Sequence, residues 1–115
     1  MKKILSVLML VGISASIVFA AQGGFKDSVS PKKATVSEIL KMSNDSYVAV
    51  QGNIVKRISD DKYSFKDSTG TITVEIDDDK WGGVNATTQD KLELVGEVEK
   101  KYNSTELDVN TVRKL

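Results

Sequence analysis

From Tyr47 to the C-terminus, apolar and polar residues alternate with a period of two, the spacing of strands with one buried face. Thr71 to Ile76 is the clearest stretch, with Ile72, Val74 and Ile76 on one side and Thr71, Thr73 and Glu75 on the other. Tyr47 to Ile58 sets Val48, Val50, Ile54 and Ile58 on one face, and Tyr63 to Lys66 pairs Tyr63 with Phe65. Lys91 to Val98 presents Leu92, Leu94 and Val98, and Thr105 to Val112 presents Leu107 and Val109. Gly52 and Gly96 fall inside two of these runs, where a glycine marks a bulge or a sharp bend. Turn-forming clusters separate the runs at Ser59–Lys62, at Asp67–Gly70 and at Lys100–Ser104. Gly70 is available for a positive φ there. This pattern cannot settle as helices.

Upstream the period changes. Thr35-Val36-Ser37-Glu38 is a capping box, and Val36, Ile39 and Leu40 form one apolar stripe, predicting a short helix over Val36 to Met42. Five strands follow, with a break from Asp77 to Asp90 between the third and the fourth. That order predicts an all-β protein, a five-stranded OB-fold Greek-key barrel with a short N-terminal α-helix over one open end. Closing so few strands demands strong curvature, the expected use of Gly52 and Gly96.

The N-terminus has a different composition. Lys2 and Lys3 precede an apolar run from Ile4 to Phe19, and Val18-Phe19-Ala20 offers small or β-branched residues before Ala21. This is a secretory signal peptide at residues 1–20, with cleavage expected between Ala20 and Ala21. The run is shorter than the ~20 residues of a spanning helix, so no stable membrane anchor is expected after cleavage. Residues 21–34 are rich in glycine and lysine without periodicity and read as a flexible tether, leaving 35–115 as the barrel domain. The expected compartment is the periplasm.

Charge and residue usage narrow the function. The 115 residues carry 16 basic and 16 acidic groups, and losing Lys2 and Lys3 with the leader leaves 14 against 16. A mildly acidic exported domain lacks the clustered cations that nucleic acid requires, so no nucleic-acid partner is expected. With no cysteine and no histidine, thiolate nucleophiles, Cys-based metal sites and Ser-His-Asp triads are excluded. A non-catalytic protein without cofactors is expected.

The candidate sites follow the barrel. An OB-fold binds on its second and third strands, between the loops joining strands one to two and four to five. Ser64, Lys66, Thr71, Thr73 and Glu75 point outward there; none is an aromatic platform for bases. Tyr102, in the last loop, is the one aromatic where an OB-fold binder would use it. Trp81, followed by Gly82-Gly83, is expected to fold back and plug the barrel, with a ligand-stacking role as the alternative. Lys56 and Arg57 are expected to face Asp60 and Asp61 across the first hairpin. The expected ligand set is therefore Tyr102, Lys66, Thr73, Glu75 and Trp81. An alternative reading gives Glu75, Asp77 and Asp79 a hard cation, although contiguous aspartates alternate sides and no calcium-loop spacing is present. An exposed barrel edge is expected near the fifth strand.

A resemblance joins these segments. Tyr47-Val48-Ala49-Val50-Gln51-Gly52-Asn53-Ile54-Val55, Tyr63-Ser64-Phe65-Lys66-Asp67, Gly70-Thr71-Ile72-Thr73-Val74-Glu75-Ile76-Asp77 and Trp81-Gly82 resemble, in order, the bacterial OB-fold (BOF) family. Thr105-Glu106-Leu107-Asp108-Val109 extends the match through the last strand. Gly83 and Thr87-Thr88 depart from the family's pattern, outside the strands. The resemblance implies a small periplasmic protein supporting tolerance of peroxide, metal-ion, acid or cationic-peptide stress. It implies no catalytic activity and leaves the ligand undefined; the polar, mixed-charge outer face suits an envelope protein or glycan as partner.

Overall fold

Ile72, Val74 and Ile76 are at most 3% exposed, and they line the interior of a closed sheet. The computed structural model describes residues 29–115, so the expected signal peptide, its cleavage site and residues 21–28 of the tether lie outside the described residues. The elements are β1 (Lys32–Lys33), α1 (Val36–Ile39), β2 (Tyr47–Arg57), β3 (Lys62–Asp67), β4 (Gly70–Glu75), a 3-10 turn (Asp78–Lys80), β5 (Leu92–Lys100) and β6 (Thr105–Lys114). The sheet runs β1-β2-β3-β4-β6-β5, and pairing of β2 with β5 closes it. All barrel neighbours are antiparallel except β4 and β6, which run parallel.

β2 is long because it serves two partners. Tyr47 to Gly52 pair with β5, and Asn53 to Arg57 pair with β3. Gly52 stands at the changeover, where a Cβ would collide with the backbone carbonyl of Lys66. At Gly96 a Cβ would strike the carbonyl of Asp108. Gly96 also adjoins a register shift between β5 and β6, as expected of a bulge glycine. In β2 the shift lies further on, between Ile54 and Lys56.

That bulge corrects part of the sequence reading. Val55 is the extra residue, so alternation inverts beyond it and Ile58 turns out to solvent at 51% exposure instead of joining Val48 and Val50 inside. Arg57 then lies over the Tyr63 ring at 5.6 Å, and its guanidinium donates to the backbone carbonyls of Ser59 and Asp60 rather than pairing with the Asp60 or Asp61 carboxylates.

The helix is shorter than predicted. α1 ends at Ile39, Val36 and Ile39 are buried, and Leu40 is exposed. Its capping box forms: Thr35 Oγ1 accepts the Glu38 N–H at 3.2 Å, and Glu38 Oε1 accepts the Thr35 N–H at 2.9 Å. Lys32 and Lys33, at the end of the expected tether, pair in parallel with Val48 and Ala49 and cover Ala49. Gly70 does not take a positive φ; Gly82 and Gly83 do, at 58° and 80°. β6 is paired on both sides only from Glu106 to Asp108, and from Val109 to Lys114 it pairs with β5 alone. Among the described residues its second half therefore leaves an open edge, as expected, and β1 ends the sheet on the other side.

The core gathers Phe65, Leu92, Leu94, Val98, Leu107 and Val109 with the inner residues of β2 and β4. Each such side chain contributes roughly 1.5–3 kcal/mol on burial. Trp81 closes one end, packed on the core and meeting Tyr63 edge-on at 5.6 Å and 85°.

Candidate functional site

The outer face of β3, β4 and β6 is set by register. Lys62 lies opposite Glu75, Ser64 opposite Thr73, Thr73 opposite Glu106, and Glu75 opposite Asp108. On the far side of β6, Glu106 lies opposite Glu99. Alternation points these residues outward while their neighbours fill the core, so carboxylates from three strands meet on one surface. Glu75, Glu99 and Glu106 bring one oxygen each within 4.8 Å of one another, as do Asp61, Glu75 and Asp77. Beside them lies a depression of about 610 Å³ lined by Ser59, Asp60, Asp61, Asp77 and Asp78.

Two cations among the described residues offset this cluster: Lys101 Nζ stands 3.8 Å from Glu99 Oε1 at its exposed rim, and Lys62 serves Glu106. Lys62 Nζ stands 3.2 Å from Glu106 Oε1 and donates its hydrogen bond to Oε2 at 3.5 Å, leaving Oε1 charge-paired but without an aligned donor. The Glu106 side chain is 11% exposed, so this pair is the best shielded among the four salt bridges of the described residues. The Glu106 hydrogen bond and charge hold the Lys62 ammonium above its usual pKa, with Glu75 and Asp61 adding to the effect. Glu75 is pushed above the ordinary carboxylate range, first by burial and then by Asp108, Asp61, Asp77 and Glu99. A surface of this kind repels phosphate and attracts ammonium or guanidinium groups.

The predicted residues divide. Thr73 and Glu75 sit in the face, and Tyr102 stands beside it, 99% exposed in the loop between β5 and β6. Lys66 shares the outward parity of Lys62 but lies four residues along β3, roughly 13 Å away, outside the carboxylate cluster. Trp81 packs into the barrel end, matching the structural expectation for it. Of the cation set, Glu75 and Asp77 come together, with Asp61 as the third member; Asp79 stays outside, carried off by the 3-10 turn. Sequence reasoning missed Asp61, Glu99, Glu106 and Asp108. Alternation alone points Glu106 and Asp108 outward, but their meeting with Glu75 depends on parallel pairing of β4 with β6, which leaves no local signal.

A closed barrel of five strands with this order and one parallel pair is an OB-fold. The description "Bacterial OB fold (BOF) protein" matches residues 12–114, and the chain belongs to that family. It is 41% identical to Protein YgiW of Escherichia coli K12 over 128 aligned positions, covering all of this chain and 98% of that one. It is 34% identical to the calcium-regulated OB-fold protein CarO of Pseudomonas aeruginosa, covering 94% and 92% of the two chains. The solved structure of E. coli ygiW superposes with a TM-score of 0.70 at 47% identity, over 82% of this chain and all of that one. The telomere capping protein Ten1 of S. pombe shares the fold alone, at TM-score 0.61 and 15% identity over 74% of this chain and 81% of its own.

Proposed function

We propose that this chain is an exported, non-enzymatic binding module whose acidic face takes a basic partner protein of the cell envelope and thereby supports tolerance of envelope stress. The observation that carries it is the union of Glu75, Glu99, Glu106 and Asp108 on one surface, with Lys62 and Lys101 as partial counter-charges and Tyr102 exposed in the adjoining loop. Tyrosine is a frequent anchor of protein interfaces, and carboxylates there steer a cationic surface. The same charge argues against a nucleic-acid partner. A glycan, the other expected partner, lacks the positive charge this face would reward. Export through cleavage between Ala20 and Ala21 is the matching compartment, checked by N-terminal sequencing of the periplasmic form.

Crosslinking and pull-down from intact envelopes tests the reading, with a charge-reversed Asp108→Lys variant alongside. The expected result is a basic envelope protein captured by the native chain, released by salt and lost in the variant. Equal capture by both chains, or recovery of cytoplasmic nucleic-acid proteins, overturns it.

A second reading has its own observation. Asp61, Glu75 and Asp77 converge closely enough to share a hard cation, and a relative is named as calcium-regulated. Three carboxylates supply at most half of a Ca²⁺ shell, so water would complete it. Isothermal titration with Ca²⁺, Mg²⁺ and Cd²⁺ decides: no heat at millimolar metal removes this reading.

A further inference from the structure

A second surface lies away from the acidic face, where β2 changes partners. β1 pairs with β2 at Val48 and Ala49, and β3 pairs with it from Asn53 onward. Val50 and Gln51 therefore have no strand paired beside them on that edge among the described residues, and Gly52 closes the gap against the Lys66 carbonyl. The notch opens into a groove of about 670 Å³, walled by the Lys33–Thr35 segment, the β3–β4 turn and the start of β5. That volume lies in the range of small-ligand sites.

Its charges are unequal in what they can still bind. The groove holds three carboxylates, and each is already engaged. Asp67 accepts from the Val36, Thr69 and Gly70 N–H groups and the Thr69 hydroxyl; Glu38 accepts from the Thr35 N–H; Glu93 Oε1 accepts from Arg113 at 2.7 and 3.2 Å. Asn53 Nδ2 is spent on the carbonyls of Thr88 and Asp90. The groove also holds Lys33, Lys66 and Lys91, and none has a carboxylate within 4 Å among the described residues. Three ammonium groups without a salt-bridge partner among the described residues thus line the groove, beside an Asp67 whose two oxygens are both engaged and a Glu38 and Glu93 each held through one oxygen.

We infer that this groove is a second binding site, distinct from the acidic face, for a small ligand bearing an oxyanion and the size of one or two sugar or amino-acid units. The lysines hold the oxyanion, and Gln51, which lines the groove and hydrogen-bonds Glu93, borders the ligand. The two surfaces give the barrel opposite chemical preferences at separate places.

NMR titration of the ¹⁵N-labelled protein, purified as it accumulates in the expressing cell, tests the inference. The probes are glucuronate, glucose 6-phosphate and uncharged glucose. Saturable shifts at Gln51, Gly52 and Asn53 are expected with one or both acids, and their ratio distinguishes a carboxylate from a phosphate source. Kd is expected at about 1 mM for the preferred acid. Lys66→Gln combined with Lys91→Gln should weaken it about tenfold, while Lys101→Gln on the opposite loop leaves it unchanged. Rising salt should weaken the native chain's binding, which tests the same charges without any substitution. No saturable shift with either acid, equal shifts with glucose, a double variant that binds normally or a salt-independent Kd each overturns the inference.

Discussion

The Asp67 carboxylate accepts the backbone N–H of Val36 at 2.9 Å, joining two residues 31 positions apart. Thr69 Oγ1 accepts the next N–H, that of Ser37, at 3.0 Å, and Thr35 takes the third. The first three N–H groups of α1 are thus all satisfied, two of them by the β3–β4 turn rather than by the helix's own cap. This ties α1 to the barrel.

Asp67→Ala should therefore cost about 2 kcal/mol, the scale of hydrogen bonds to a charged group. That lowers Tm by roughly 10 °C in a domain of this size, read by circular dichroism. Burial raises the Asp67 pKa, but its bonds to Thr69, Val36 and Gly70 outweigh it and leave the group below the ordinary carboxylate range. Its stabilisation is accordingly complete above the unfolded pKa near ~4 and is lost as pH falls through the folded value. The gap between native and variant should close in acid.

Glu75 works in the opposite sense. Its folded pKa is raised, so the native state holds its proton more tightly than the unfolded chain, and stability falls as pH rises through that window. Glu75→Gln should raise stability at neutral pH by about 0.5 kcal/mol, the scale of a like-charge cross-strand pair. The advantage should vanish below the ordinary glutamate range. A variant less stable than the native chain at neutral pH would show that Glu75 is satisfied by something other than its proton.

Gly52 and Gly96 allow no side chain. Gly52→Ala and Gly96→Ala each push a methyl into a backbone carbonyl, which cannot retreat without opening the barrel, and should cost about 3 kcal/mol. Gly70→Ala meets only Val36 Cγ1 at 3.5 Å, an ordinary contact, and should be tolerated. Urea denaturation of the three variants distinguishes steric need from mere flexibility.

Trp81 is half-buried against Tyr63 and the core. Trp81→Ala should destabilise by about 2 kcal/mol, below the cost for a fully buried indole. Trp81→Phe should retain most of that packing. Capture of a partner by the Phe variant should match the native chain; its loss would return Trp81 to the ligand-stacking role.

Much of this architecture was written in local pattern. The inward set of Phe65, Ile72, Val74, Ile76, Leu92, Leu94 and Leu107 follows from alternation, because a strand with one wet face must sort its side chains by parity. The capping box at Thr35 and Glu38 was equally visible, being a matter of residue types at fixed spacing. Ile58 was misplaced because a bulge inverts parity and Val55 carries no mark of being the extra residue. The pairing of Lys32–Lys33 with β2 escaped notice because two residues have no period.

The site was less accessible. Glu75 and Asp77 were found from the sequence, yet Asp61, Glu99, Glu106 and Asp108 join them only through pairings between distant segments. The amino-acid order alone determined which residues face inward, since hydrophobic sorting is a local consequence of strand geometry. Only the closed barrel decided which outward residues become neighbours, because that depends on strand order and register across dozens of residues. The acidic face and the lysine-lined groove are products of that closure.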